Sequence, residues 1–226
     1  MPRHPRPHPL PVALVSTVLG LLLAVPLLAE GAMDARLQEV DPLLRQLEPT
    51  RGQFLNVARQ HGQFLRMLVE MTGRKRALEI GTSNGYSAIW IGLGLEQTGG
   101  KLRTVEIVPE TSAMAKANLQ KAKLQDTVTC IVGDALEVIP QLEGTFDFVF
   151  IDALKPDYWR YYELVRPKLE AGAVIAAHNA ISSREAMSKY FELLDADPNL
   201  QTTVVQIEPG DGFAVTFVRD KPVERQ

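Results

Sequence analysis

Several short apolar runs in this chain lead into polar residues able to do chemistry. The first leads into Glu79-Ile80-Gly81-Thr82-Ser83-Asn84-Gly85-Tyr86-Ser87. Gly81 can take positive φ and turn the chain sharply beneath a ligand, and Gly85 lets a following helix start close by. The spacing is G-x-x-x-G, not the G-x-G-x-x-G that wraps a pyrophosphate. An acid ahead of the turn would repel pyrophosphate and suits a ligand carrying a sulfonium and an ammonium. A plain tight turn between strand and helix reads the same way, so this stretch alone does not decide.

The other run ends narrow the choice. Glu106 closes the second run, where an acid binds ribose hydroxyls in nucleotide folds; a carboxylate favouring the helix that starts at Pro109 is the plainer reading. Asp134, in Gly133-Asp134-Ala135, either accepts from an adenine amino group or caps the next helix. Asp152 ends the most apolar run, Phe-Asp-Phe-Val-Phe-Ile, where a carboxylate needs a partner to offset its desolvation. Lys155 follows three residues on, and His178-Asn179 closes the fifth run.

The elements that must position these groups are short strands alternating with helices. The strand candidates are 77–80, 102–107, 127–132, 146–151, 173–177, 202–207 and 213–218. The early ones are continuously apolar, as strands buried on both faces of a parallel sheet are. Helix candidates lie at 86–95, 109–124, 135–142, 158–169 and 184–194, after two helical patterns at 33–48 and 54–71. Glu208-Pro-Gly-Asp-Gly212 joins the last two strands as a hairpin turn. The pattern predicts an α/β fold: a Rossmann-like, doubly wound, seven-stranded and mainly parallel sheet with a C-terminal antiparallel hairpin. In such a sheet, ligands bind beyond the carboxyl ends of the strands, where all the residues above converge.

The chain has 226 residues, 46% hydrophobic and 23% charged, with net charge −3. That supports a full core without staples, and gives no overall basic field to recruit nucleic acid. The single cysteine, Cys130, excludes an internal disulfide and a thiolate cluster, and its place in VTCIV predicts a buried small hydrophobe.

The stretches GQFL (62–65), LEIGTSNGYSA (78–88), VEIVPE (105–110), GDALEVIP (133–140), FDFVFIDALKPDYWRYYE (146–163) and the HNA after strand five together resemble S-adenosylmethionine-dependent O-methyltransferases of the catechol and caffeoyl-CoA type. The resemblance covers residues 50–219. It implies a cofactor site formed by Val57, Glu79, Gly81, Thr82, Ser87, Glu106, Asp134, Ala135 and Asp152. It implies that Lys155 takes the proton from the hydroxyl of a small acceptor, with Asp152 as its catalytic companion. It also implies a divalent metal held by Asp152 with an Asp-Asn pair, and here that pair is His178-Asn179. Mg²⁺ prefers carboxylate and carbonyl oxygens, whereas imidazole suits Zn, Fe, Ni or Cu. A weaker site, a different metal and no metal all remain open. Related enzymes are often homodimers.

Two other classes compete. A nicotinamide-dependent oxidoreductase lacks its G-x-G-x-x-G here. A non-catalytic, membrane-tethered binding module would keep the fold without the metal site. Within the methyltransferases, a tRNA hydroxyl is the alternative acceptor, and the negative net charge disfavours it.

Residues 1–32 form an N-terminal hydrophobic segment, and residues 33–226 the methyltransferase domain with its N-terminal helices. Uncharged 10–29, after Arg3 and Arg6, reads as an uncleaved membrane anchor, as an exported signal cut after Ala29, or as an untranslated stretch upstream of Met33. An anchor of this orientation would put the domain outside the cytoplasm, where the cofactor is made. A start at Met33 leaves a cytoplasmic protein.

Overall fold

The computed structural model describes residues 24–220. The chain splits into two compact units, Met1–Asp41 and Pro42–Gln226. Helix α1 is Ala24–Leu47. The apolar stretch expected to act as an anchor lies mostly outside the described residues. Among the described residues no helix is long and apolar enough to cross a membrane.

The second unit holds the sheet. Its strands are β1 (Arg76–Ile80), β2 (Lys101–Glu106), β3 (Val128–Val132), β4 (Phe146–Ile151), β5 (Leu169–His178), β6 (Leu200–Glu208) and β7 (Asp211–Val218). They lie in the order β3-β2-β1-β4-β5-β7-β6. The first five are parallel, and β7 runs antiparallel between β5 and β6, closing the expected hairpin. Strand order reverses beside β1, and the crevice between β1 and β4 is where this topology places a ligand.

Burial follows strand order. Every residue of central β4 is buried, which requires its one acid to be satisfied. The Asp147 carboxylate does this by accepting from the backbone N–H of Lys75 and of Arg76. β3 corrects the expectation of a strand buried on both faces. It is an edge strand, half-open to solvent, so Cys130 is half-buried rather than a core residue.

The helices are α2 (Arg51–Phe54), α3 (Arg59–Thr72), α4 (Tyr86–Thr98), α5 (Pro109–Lys121), α6 (Ala135–Gln141), α7 (Tyr158–Val165) and α8 (Ser188–Asp195). The helical pattern expected over 54–71 is broken. Leu55 adopts the left-handed conformation (φ 55°), and residues 55–58 form a loop before α3 begins. Side chains hold the break: Ser83 Oγ donates to the Phe54 carbonyl (2.6 Å), and Arg51 Nε donates to the Asn56 carbonyl (3.1 Å). The helix expected from Arg184 starts four residues later, after a run of turns.

α3 lies directly on α4 because Gly62 leaves room for Trp90. A Cβ at position 62 would stand 2.2 Å from the indole Cδ1. The tyrosines of α7 pack the helix onto the sheet. Tyr158 and Tyr162 are buried, and both stack edge-on against Tyr190 of α8.

Candidate active site

One cavity of about 1050 Å³ opens at the carboxyl ends of the strands. Its walls include the loops after β1, β2, β3, β4 and β5, together with residues 51–57.

The loop after β1 is the floor. Gly81 (φ 98°), Ser83 (φ 49°) and Gly85 (φ 89°) all take positive φ, which drops the chain abruptly between β1 and α4. Gly81 N–H and Thr82 N–H both donate to the Val105 carbonyl (3.0 and 3.2 Å), pinning the loop to β2. Gly81 also passes against the backbone of Asp152. The role expected for Gly85 is corrected. A Cβ there would meet Ala115 of α5, so this glycine serves helix packing and does not line the cavity.

Glu79 lies just beneath this floor and is fully buried, outside the cavity lining. Its Oε2 accepts from Thr104 Oγ1 (2.5 Å), which also bonds Thr82 Oγ1 (2.5 Å). Burial pushes the Glu79 carboxyl up to about 8, against the pull of its hydroxyl partners Ser87 and Thr104. A carboxyl raised in the folded state stabilises the fold below the ordinary carboxylate range, and that contribution is lost as pH rises through 8. Glu79→Gln should therefore gain on the parent between pH 5 and pH 9, by up to roughly 4 kcal/mol, on the order of 10 °C of Tm. Thermal melts of both proteins across that range check this. A Tm difference independent of pH would contradict it.

Glu106 lies on the cavity wall with both oxygens engaged. Oε2 accepts from Ser83 N–H (2.8 Å) and Oε1 from Val108 N–H (3.0 Å). It thus ties the β1 loop to the β2 loop and keeps lone pairs for a ligand. Asp134 caps the next helix and stands on the cavity wall. Its Oδ1 accepts from Leu136 N–H (2.8 Å) as the N-cap of α6, and its side chain lines the cavity. Val57, Thr82, Ser87 and Ala135 line the same space.

Across the cavity, Lys155 Nζ donates to Asp152 Oδ1 (2.8 Å). Asp152 Oδ2 lies 3.2 Å from His178 Nδ1. Burial would raise the Asp152 carboxyl, but the His178 and Lys155 charges outweigh it and hold it down to about 2. Behind His178 the structure adds residues that sequence reasoning passed over. His178 Nε2 and His61 Nδ1 of α3 share a hydrogen bond of 2.7 Å, with both rings buried. Burial lowers His61, as does the neighbouring His178. Asn179 Nδ2 donates to Asp211 Oδ2 (2.6 Å) at the start of β7. Asp211 lay in a segment that reads only as a turn. His61 sits beside the GQFL stretch, and a polar ring at the buried start of an amphipathic helix was its one available signal.

Asp152, His178 and Asn179 are thus brought together. Yet among the described residues no three His, Cys, Asp or Glu side chains are grouped so as to hold a metal ion.

Residues 36–217 match the family model described as O-methyltransferase. The chain belongs to the O-methyltransferase family. It is 34% identical over 178 residues to a catechol O-methyltransferase of Mycobacterium tuberculosis, covering 72% of this chain and 80% of that one. It is 30% identical over 184 residues to a catechol O-methyltransferase of Niastella koreensis, covering 73% and 83%. Among solved structures, an O-methyltransferase of Bacillus cereus in complex with SAH superposes with a TM-score of 0.71 at 30% identity, over 81% of this chain and 90% of that one. TomG of Streptomyces achromogenes, in complex with SAM, gives a TM-score of 0.71 at 28% identity, over 78% and 89%. The chain is an S-adenosylmethionine-dependent O-methyltransferase that methylates a hydroxyl group.

Proposed function

We propose that the cofactor lies across the loops after β1, β2 and β3, and that a small aromatic acceptor sits between it and Lys155. The observation that carries this reading is the opening of the Lys155–Asp152 pair into the same cavity as the Gly81–Ser83 floor and Glu106. Glu106 then takes the ribose hydroxyls and Asp134 the adenine edge. Glu79 lies beneath the floor at the methionine end of the cofactor.

An activated methyl sulfonium needs a nucleophile held in line and stripped of its proton. Lys155, as a free amine, takes that proton from the acceptor hydroxyl: the O–H bond breaks and an N–H bond forms. Asp152, 2.8 Å away, stabilises the ammonium so created. S-adenosylmethionine, when bound there, would supply the methyl group to the oxygen so exposed, its sulfonium leaving as a neutral thioether.

The acceptor class rests on the cavity mouth. Leu55 and Leu154 line it and are largely exposed, with Phe54 and Tyr161 beside them. Exposed apolar side chains around a cavity suit a flat aromatic ring. The catechol relatives are named for such acceptors. A tRNA acceptor would call for a basic rim, and the rim's Arg51 is already paired with Glu208 (3.1 Å).

Calorimetry of the full chain with S-adenosylmethionine should give micromolar binding, followed by methylation of catechol or caffeate in a product assay. Binding without transfer to any aromatic hydroxyl would sink the acceptor assignment. No binding at all would sink the placement of the cofactor.

A further inference from the structure

We infer that this chain transfers the methyl group without a divalent cation, because His178 and its partners occupy the place where the family resemblance implies a metal. The inference rests on methyl transfer at this site, and concerns what helps the acceptor hydroxyl lose its proton.

The donor set does not fit a hard dication. Mg²⁺ needs a cage of oxygens with enough negative charge to offset its own. Asp152 supplies a carboxylate here, and Lys155 Nζ already donates to it at 2.8 Å. The position where a second carboxylate is implied carries an imidazole, which brings no negative charge. Asp211 does not replace it: its Oδ2 is engaged by Asn179 and lies 3.8 Å from His178 Nε2, on the ring's far side from Asp152, and it does not line the cavity. A dication here would face a carboxylate already engaged by Lys155.

A softer metal fares no better. A ring nitrogen ligates only with its lone pair free. His178 is 4% exposed, and its Nε2 is spent on His61. Its Nδ1 looks toward Asp152 Oδ2, leaving one imidazole nitrogen and one carboxylate, with the neutral amide oxygen of Asn179, as the available donors. His61 cannot supply a third ligand, because it stands behind His178 and is bonded to it. Zinc and iron sites draw three or more ligands from Cys, His and carboxylate side chains, and here one imidazole and one carboxylate are at hand.

The ring is also held in place. His61 belongs to α3, and Phe213 packs against both imidazoles, at 5.0 Å from His61 and 5.1 Å from His178. Turning His178 toward a metal would break its hydrogen bond to His61 and leave Nε2 unpaired, beside His61 Nε2 and His178 Nδ1, which lack hydrogen-bond partners among the described residues.

The test is calorimetric titration of the full chain, saturated with S-adenosylhomocysteine, with MgCl₂, MnCl₂ and ZnCl₂ in turn. S-adenosylhomocysteine binding, measured first, reports on the cofactor site independently of the metal result. The parent is expected to bind none of the three stoichiometrically, and its turnover is expected to be unchanged by excess EDTA. His178→Asp restores a second carboxylate beside Asn179, and is expected to raise Mg²⁺ affinity by about tenfold or more. One equivalent of any of these metals bound by the parent, or activity lost to EDTA and restored by metal, overturns the inference. So does a folded His178→Asp protein, competent for S-adenosylhomocysteine, with no gain in Mg²⁺ binding. If that variant does not fold, the parent titrations still decide.

Discussion

Replacing Lys155 by Met should lower kcat by roughly 10²- to 10⁴-fold and leave S-adenosylmethionine affinity within about threefold. Methionine keeps the length and apolar stem of lysine and deletes only the nitrogen. The side chain is partly exposed at the cavity wall, and its one ion pair is with Asp152. Losing that pair still leaves Asp152 facing His178 at 3.2 Å, so no carboxylate is stranded. The groups placed against the cofactor, Gly81 to Ser83 and Glu106, bond to one another and to β2, not to Lys155. Chemistry and cofactor binding are thus held by separate sets of interactions. The check is single-turnover kinetics beside calorimetry on the same preparation. If affinity fell in proportion to turnover, Lys155 would be a structural partner of the site rather than its base. A kcat within threefold of the parent would remove it from the mechanism.

The separation explains why much of this site is legible in the sequence. Gly81, Glu106, Asp134 and Asp152 stand immediately after apolar runs, and the topology of a doubly wound sheet carries every such position to one edge. β4 shows the signal at its strongest: six consecutive buried residues leave the next residue, Asp152, at the ligand face. What stayed hidden depends on contacts between distant segments. The loop at 55–58 breaks a good helical pattern because Ser83, some thirty residues away, takes the Phe54 carbonyl. Edge and centre are decided by strand order, so VTCIV of β3 reads like its neighbours yet lies half-open. The His61–His178 bond joins residues 117 apart, so neither segment alone shows that the two rings meet. Glu79 shows the opposite limit. Its position in the motif is plain, but whether the carboxylate faces the ligand or lies beneath the floor depends on Thr104 and Thr82, whose hydroxyls draw it down.

Gly81→Ala should unsettle the floor itself. The residue combines two demands that only glycine meets. Its φ of 98° lies where a Cβ meets its own backbone, at a cost of about 1–2 kcal/mol. Its Cβ would also stand 2.2 Å from the Asp152 carbonyl oxygen and 2.8 Å from the carbonyl carbon. That neighbour is backbone, and it is fixed, because Asp152 N–H donates to the Ile80 carbonyl (2.9 Å) at the parting of β1 and β4. Relief must come by moving the Gly81–Thr82 loop, the start of Asp152, or both. Either shift displaces groups proposed to bind the cofactor, and the second also displaces the carboxylate bonded to Lys155. The expected result is a loss of about 3 kcal/mol of stability, from φ strain and overlap together, with S-adenosylmethionine affinity down by more than about 100-fold. Gly99→Ala is the control. Gly99 also has positive φ (71°), but its Cβ would meet nothing within 4 Å. It should lose about 1 kcal/mol and bind the cofactor like the parent. Denaturant melts and calorimetry on the two variants separate conformational strain from contact with Asp152. If Gly81→Ala matched Gly99→Ala in both, the close approach of β1 to the Asp152 backbone would not be what shapes the site.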